Sequence, residues 1–268
     1  MKRKPSVAGS FYPGQKDALL ETIAQMTDRK AARKKALAVV APHAGYEYSG
    51  PVAGAVFSSV EIPRTVVILG PAHREIGELF AIQKEGSWVT PLGEAPIQAD
   101  LAALILDLCP LVTEDERAHQ GEHSLEVQLP FIQYFEKKVS LVPVCVSYEA
   151  EFDDLETFGR ALAASLRAFG QDVLIVASTD MSHYVSQEMA EKKDFLAIRK
   201  IIALDARGLF DTVRDHKISM CGYQPTTAAI TAARELGAAG ADLIQYQTSG
   251  ARTGDFAQVV GYAGIRII

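Results

Sequence analysis

Four short and almost unbroken apolar runs constrain this chain more than any other feature: 36–41 (ALAVVA), 65–69 (TVVIL), 140–146 (SLVPVCV) and 172–177 (DVLIVA). They are far too short to cross a bilayer, which takes about 20 apolar residues. They also lack the alternating polar positions of a strand with one face in water. A strand that is apolar on both sides must be covered on both sides, the condition met in a parallel sheet between helical layers. Stretches with apolar residues at three- and four-residue spacing lie between the runs and predict helices over 17–26, 51–60, 101–108, 122–135, 155–169, 188–205 and 225–236. The C-terminal part departs from this pattern. Residues 243–248 and 256–267 read as two strands joined by a turn over 249–255, an antiparallel hairpin that completes the sheet. No Pro/Ser-rich linker or internal repeat divides the 268 residues. The expected fold class is therefore α/β, a single domain over 1–268 with a mixed, mostly parallel sheet sandwiched by helices.

Charge narrows the partners. Lys and Arg number 27 against 33 Asp and Glu, a net charge of −6, which argues against nucleic acid or an anionic membrane as the main partner and leaves small molecules and proteins. The 3 cysteines form no CxxC pair and no disulfide framework, so a reducing compartment is expected. The basic start at Lys2, Arg3 and Lys4 is followed by no apolar h-region. Together these point to the cytoplasm.

Open α/β sheets place their ligands at the carboxyl ends of the strands. The first predicted strand runs into Pro42 and His43, the second into Pro71, Ala72 and His73, and a later one into Ser178, Thr179, Asp180 and, three residues on, His183. The loop before the predicted 225–236 helix adds Cys221. Taken singly, each has a plainer reading: a histidine that caps a turn, an Asp180 that caps the segment after it, a Cys221 that is a small buried apolar residue. Taken jointly, three of the 6 histidines fall just after predicted strands, and a shared site follows. Two neutral imidazoles and one anionic donor suit a divalent transition metal and leave positions open. A carboxylate as third donor favours non-haem iron(II), and a thiolate is softer and also suits copper or zinc. Asp180 and His183 then serve as acid/base groups or support the ligands, Asp180 orienting the His183 ring. Tyr46, Tyr48 and Tyr184 are expected near the pocket. His123, four residues after His119, is expected at a helix start or beside the site, with His119 in solvent and His216 on the surface. No phosphate-binding glycine loop and no GxSxG nucleophile elbow occurs.

These same residues carry a family resemblance. AGSFYPG at 8–14, PHAGY at 42–46, LGPAH at 69–73, EHSLEVQLPF at 122–131, STDMSHY at 178–184 and MCGYQP at 220–225 resemble the signatures of the Memo family, whose prokaryotic members are called AmmeMemoRadiSam system protein B. The family is structurally similar to class III extradiol dioxygenases, which are non-haem iron(II) enzymes. The resemblance implies His43, His73 and Cys221 as metal ligands, with Asp180 and His183 lining the same pocket, and iron or copper as the metal. The system name implies a radical SAM protein and an AMMECR1-like protein as partners. A dioxygenase has a carboxylate where this chain offers Cys221, so ring-opening activity does not follow from the likeness. Three functions stay open on the sequence: a metal-dependent redox enzyme; a catalytically silent module that docks a peptide or partner protein; and a metal-free hydrolase or thiol enzyme built on Cys221 with His43 or His183.

Overall fold

In the computed structural model, which describes residues 2–268, the four apolar runs are neighbouring parallel strands. In chain order the elements are β1 (Lys2–Arg3), α1 (Lys16–Met26), β2 (Ala38–Ala41), α2 (Tyr46–Ser58), β3 (Thr65–Pro71), β4 (Phe80–Ile82), β5 (Ser87–Thr90), β6 (Gly93–Pro96), α3 (Ala99–Leu108) and β7 (Val112–Glu114). Then follow α4 (Leu129–Phe135), β8 (Ser140–Val146), α5 (Phe152–Phe169), β9 (Val173–Ser178), β10 (His183–Val185), α6 (Gln187–Ile202), α7 (Ala206–Asp215), α8 (Tyr223–Glu235), β11 (Ala241–Thr248), α9 (Gly250–Thr253) and β12 (Val259–Ile267).

The large sheet runs β10-β12-β2-β9-β3-β8-β4-β7, with β11 paired to β12, and a small sheet β1-β5-β6 stands apart from it. Its centre, β2-β9-β3-β8, is parallel, so four carboxyl ends share one edge. Every residue of β3 is buried, as the double-sided apolar run demands. The expected C-terminal hairpin is present as the antiparallel β11–β12 pair, turned by α9. Helix α8 lies on β2, β3 and β9 with α5 and α7 packed onto it, and α2 lies on β2, β11 and β12 with α1 and α4 packed onto it. No helix among the described residues is long and apolar enough to cross a membrane.

Three expected elements come out differently. The 122–135 helix is broken: residues 122–125 are not helical, a short 3-10 turn spans Glu126–Gln128, and α4 begins only at Leu129. Pro130 lacks an amide and is tolerated only in a first turn, so a helix starting at residue 122 would have carried it in its interior. Helix α2 starts at Tyr46, whose amide donates to the Phe11 carbonyl at 2.8 Å, and so holds Pro51 inside it. The carbonyl that Pro51 leaves free belongs to the exposed Glu47 and can take water. The 188–205 helix ends at Ile202, and a helix that the periodicity reading passed over, α7, follows at once. Leu204 has a φ of 53°, and the Asp205 carboxylate accepts from the Gly208 amide at 2.8 Å, so the chain breaks and is capped anew.

The α5–α8 crossing fixes where Cys221 sits, because α8 begins two residues after it. Gly159 makes the crossing close: a Cβ there would lie 2.8 Å from the Ala228 carbonyl oxygen and 2.7 Å from Thr231 Cβ. Gly159→Ala is expected to lower stability by about 1–3 kcal/mol, the usual effect of overpacking a tight contact. Urea unfolding followed by circular dichroism measures it, and an unchanged midpoint would show that the crossing can spread freely.

Candidate metal centre

The carboxyl ends of the central strands bring side chains together from segments far apart in the chain. His43 follows β2, His73 follows β3 and Asp180 follows β9. The segment ahead of α4 adds Glu122 and His123. Ring centroids are 5.2 Å apart for His43–His73, 5.5 Å for His43–His123 and 4.5 Å for His73–His123. One donor nitrogen from each of the three rings lies within 4.8 Å of the others, so this group can hold a metal ion.

Hydrogen bonds fix which nitrogen two of the rings offer. Ser178 Oγ donates its proton to the Ser124 carbonyl at 2.6 Å, so at 3.0 Å from His43 Nδ1 it acts as acceptor. His73 Nδ1 lies 2.9 Å from Glu122 Oε1, and the His73 amide donates to the other carboxylate oxygen at 2.7 Å. His123 Nδ1 is 3.5 Å from the same Glu122 oxygen. With Nδ1 of His43 and of His73 hydrogen-bonded to acceptors, Nε2 is the atom that these two rings offer, the arrangement in which neutral imidazoles bind metal. Burial, then the neighbouring His73 and His123 rings, push the His43 pKa well below the usual imidazole value, and burial lowers that of His123. Burial alone would raise the Glu122 carboxyl. The hydrogen bonds from His73 and the Ser124 amide outweigh it and hold the group below the ordinary carboxylate range.

Cys221 faces this cluster from the side of His43, with Sγ 3.2 Å from His43 Nε2. Its sulfur also receives the Asp180 amide at 3.2 Å. Gly222 permits that approach, since a Cβ on it would stand 2.3 Å from the Ser178 carbonyl oxygen. Burial, then the Asp180 carboxylate, raise the thiol pKa, and a divalent cation at the site would act in the opposite sense. The three-nitrogen group does not include this sulfur. The ligand set expected from the sequence thus meets a competitor in His123, which was expected beside the site and lies in the cluster itself.

Asp180 does not orient His183. Its carboxylate accepts from the His43 amide at 2.7 Å and the Ala44 amide at 3.3 Å, so it fixes the loop that carries His43, and burial pushes its pKa up. His183 is held by Ser219 instead: the Ser219 carbonyl takes the Nδ1 proton at 2.8 Å, and Ser219 Oγ receives the His183 amide at 2.7 Å. A cavity of 480 Å³ opens over the cluster, lined by the three imidazoles together with Asp180, His183, Tyr48 and Tyr184. Tyr46 does not line it. Its side chain is buried beneath, with the hydroxyl donating to the Val127 carbonyl at 2.7 Å, whereas Tyr48 reaches the cavity. His119, expected in solvent, is fully buried, with Nδ1 3.3 Å from Cys145 Sγ. Burial, then the Arg3 charge, lower its pKa to about 3, so the ring is neutral and compatible with a core. His216 is exposed as expected.

The residues nearest the start of the chain complete the support. Arg3 pairs with Glu126 at 2.6 Å, with 7% and 1% of the side chains exposed, and also donates to the His119 and Glu122 carbonyls at 2.7 and 2.6 Å. Glu126 further accepts from the Ser6 and Val7 amides and the Tyr12 hydroxyl. This network clamps residues 3–12 onto the segment that carries Glu122 and His123, and Phe11 packs against the His123 ring at 4.8 Å.

The sequence model of the Memo-like protein family matches residues 3–266. The chain belongs to the Memo-like family. A MEMO1 family protein of Methanopyrus kandleri is 39% identical over 282 residues, spanning 99% of this chain and 98% of the relative. One from Aquifex aeolicus is 40% identical over 265 residues, spanning 98% of each. The crystal structure of an uncharacterized protein from Escherichia coli K12 is similar in fold, at a TM-score of 0.57 and 15% identity, covering 86% of this chain and 99% of that one.

In this Memo-like chain the sequence reading missed Glu122 and Ser178 as supports of the imidazoles. Ser178 ends a strand at the same edge as Asp180 and opens the STDMSHY motif, and those were its sequence signals. Arg3→Met leaves the buried Glu126 charge without its ion-pair partner, and is expected to cost about 3–5 kcal/mol. Chemical denaturation of the purified variant checks it, and a loss below 1 kcal/mol would mean that the amides and Tyr12 suffice.

Proposed function

We propose that this Memo-like protein is a redox enzyme whose imidazole cluster holds one transition metal ion, iron in the first place and copper or zinc otherwise. The observation that carries the reading is the set of three histidines that each bring one ring nitrogen within 4.8 Å of the others, with His43 and His73 held through Nδ1 so that they offer Nε2. Three neutral nitrogens leave coordination positions open, and Cys221 stands against His43 as a further, softer donor. When bound, such an ion would polarise an oxygen-containing ligand and exchange electrons with it. The chain's own groups do the rest. His183, with Nδ1 tied to Ser219, has a free Nε2 to accept or deliver a proton in the cavity. Asp180 keeps the His43 loop in place through two amides. The free cysteines Cys109, Cys145 and Cys221 support a reducing compartment, the cytoplasm.

Protein purified without oxygen is expected to contain close to one equivalent of iron or copper by elemental analysis, and the His43→Ala, His73→Ala double variant none. His123→Ala and Cys221→Ser separate the two ligand sets. Loss of metal in the first, with retention and an unchanged absorption spectrum in the second, supports three imidazoles, and retention with a changed spectrum adds the sulfur as a fourth donor. The reverse pattern supports His43, His73 and Cys221. Glu122→Gln, which disturbs the support of two rings, is expected to weaken metal affinity by about 10- to 100-fold. Isothermal titration of the metal-free protein measures that change, and unaltered affinity would remove Glu122 from the argument.

A second reading has its own observation. Tyr184 is 74% exposed at the cavity and has a φ of 55°, a strained backbone for a tyrosine, and Tyr48 beside the cavity is also exposed. Aromatic side chains presented in this way suit recognition of a peptide or protein. In this reading the protein is a docking module for the radical SAM protein and the AMMECR1-like protein of its system, a pairing supported by the motif resemblance. Co-purification with those partners decides between the readings: binding that persists in metal-free protein, without turnover, favours the module.

A further inference from the structure

Four parallel strands end at the site edge, and only three of their tips serve the imidazole cluster. The fourth, β8, ends at Val146 and runs into Ser147 and Tyr148. The Tyr148 ring stands edge-on to His73, centroids 6.5 Å apart. Its backbone carbonyl accepts from Gln224 Nε2 at 3.0 Å, in the first turn of the helix that starts just after Cys221. The phenol oxygen has no hydrogen-bond partner among the described residues. Tyr148 also lines a second cavity of 260 Å³, together with His73, Arg74, Glu75, Ser147 and Glu149. Only one residue, His73, lines both this cavity and the larger one over the cluster. The His73 side chain is 31% exposed and so forms a partition reached from two sides.

We propose that the cavity beside Tyr148 is a second route to the cluster, for small uncharged molecules such as dioxygen or water, which stays open when a larger ligand fills the main cavity. The inference rests on the metal reading above. Size and charge set the class of molecule. Rings in edge contact at this separation leave no space for another ring between them. Tyr148 is 46% exposed, so its side chain can swing aside, on the fast timescale of surface rotamers. One arginine and two glutamates line the cavity, and a net negative lining disfavours anions.

Nitric oxide, small and uncharged, is the probe. Its association with anaerobic iron(II)-loaded protein is followed by stopped-flow absorbance, in wild type and in variants of the two routes. Thr253→Trp, which narrows the main cavity, is the background in which the side route carries the traffic. In that background Tyr148→Trp is expected to slow association about tenfold, the effect of roughly 1.4 kcal/mol on a barrier, and Tyr148→Ala to speed it, whereas with the main cavity open Tyr148→Trp changes the rate less than twofold. Iron content and the spectrum of the final complex should be the same throughout. Normal iron uptake with equal association rates across the Tyr148 variants in the Thr253→Trp background would overturn the route alone. Wild-type protein that takes up no iron would overturn the metal reading and the route together.

Discussion

The Glu122 carboxylate is the constraint on which the rest of the centre depends. It is almost fully buried, and a buried anion is tolerated only when it is well partnered. Its partners are the His73 ring and amide, the Ser124 amide and, at longer range, the His123 ring. The same contacts that make the charge tolerable fix the tautomer and the direction of His73. Through the Ser124 amide the same carboxylate also ties down its own segment, so the turn ahead of α4 and the His73 ring are held by one group.

A second buried charge ties this segment to the rest of the molecule. Glu126 is neutralised by Arg3, and Arg3 in turn binds the Glu122 carbonyl. The beginning of the chain is thus part of the wall of the centre, and Phe11 reaches His123 only because this clamp holds residues 3–12 in place. On the opposite side the close approach of Gly222 to β9 sets Cys221 against His43. The cluster is gripped by polar contacts on one flank and by tight backbone packing on the other, which suits a site that must keep donor atoms in register.

Two cavities meeting at one imidazole follow from the same topology. Strands β3 and β8 are parallel neighbours, so the residues after them, His73 and Tyr148, emerge side by side. The residues after β2 and β9 emerge on the other side of His73, and the larger cavity forms there.

The apolar runs alone determined the parallel sheet, because strands without a polar face have no other stable place. With it they determined the edge where His43, His73 and Asp180 would emerge. Six motifs, read as words, were enough for the family. The sequence could not show how a side chain would be used, since that depends on contacts between residues far apart in the chain. It placed Asp180 behind His183, and the structure places Asp180 on the His43 loop and gives His183 to Ser219. It left His119 in solvent, and the structure buries it. His123 looked like the start of a helix, and only the fold turned its ring onto His73, because Glu122 draws that segment to the tip of β3. Periodicity reports which face of an element is covered. Which nitrogen faces which oxygen is decided by long-range contacts, and only the tertiary structure holds those.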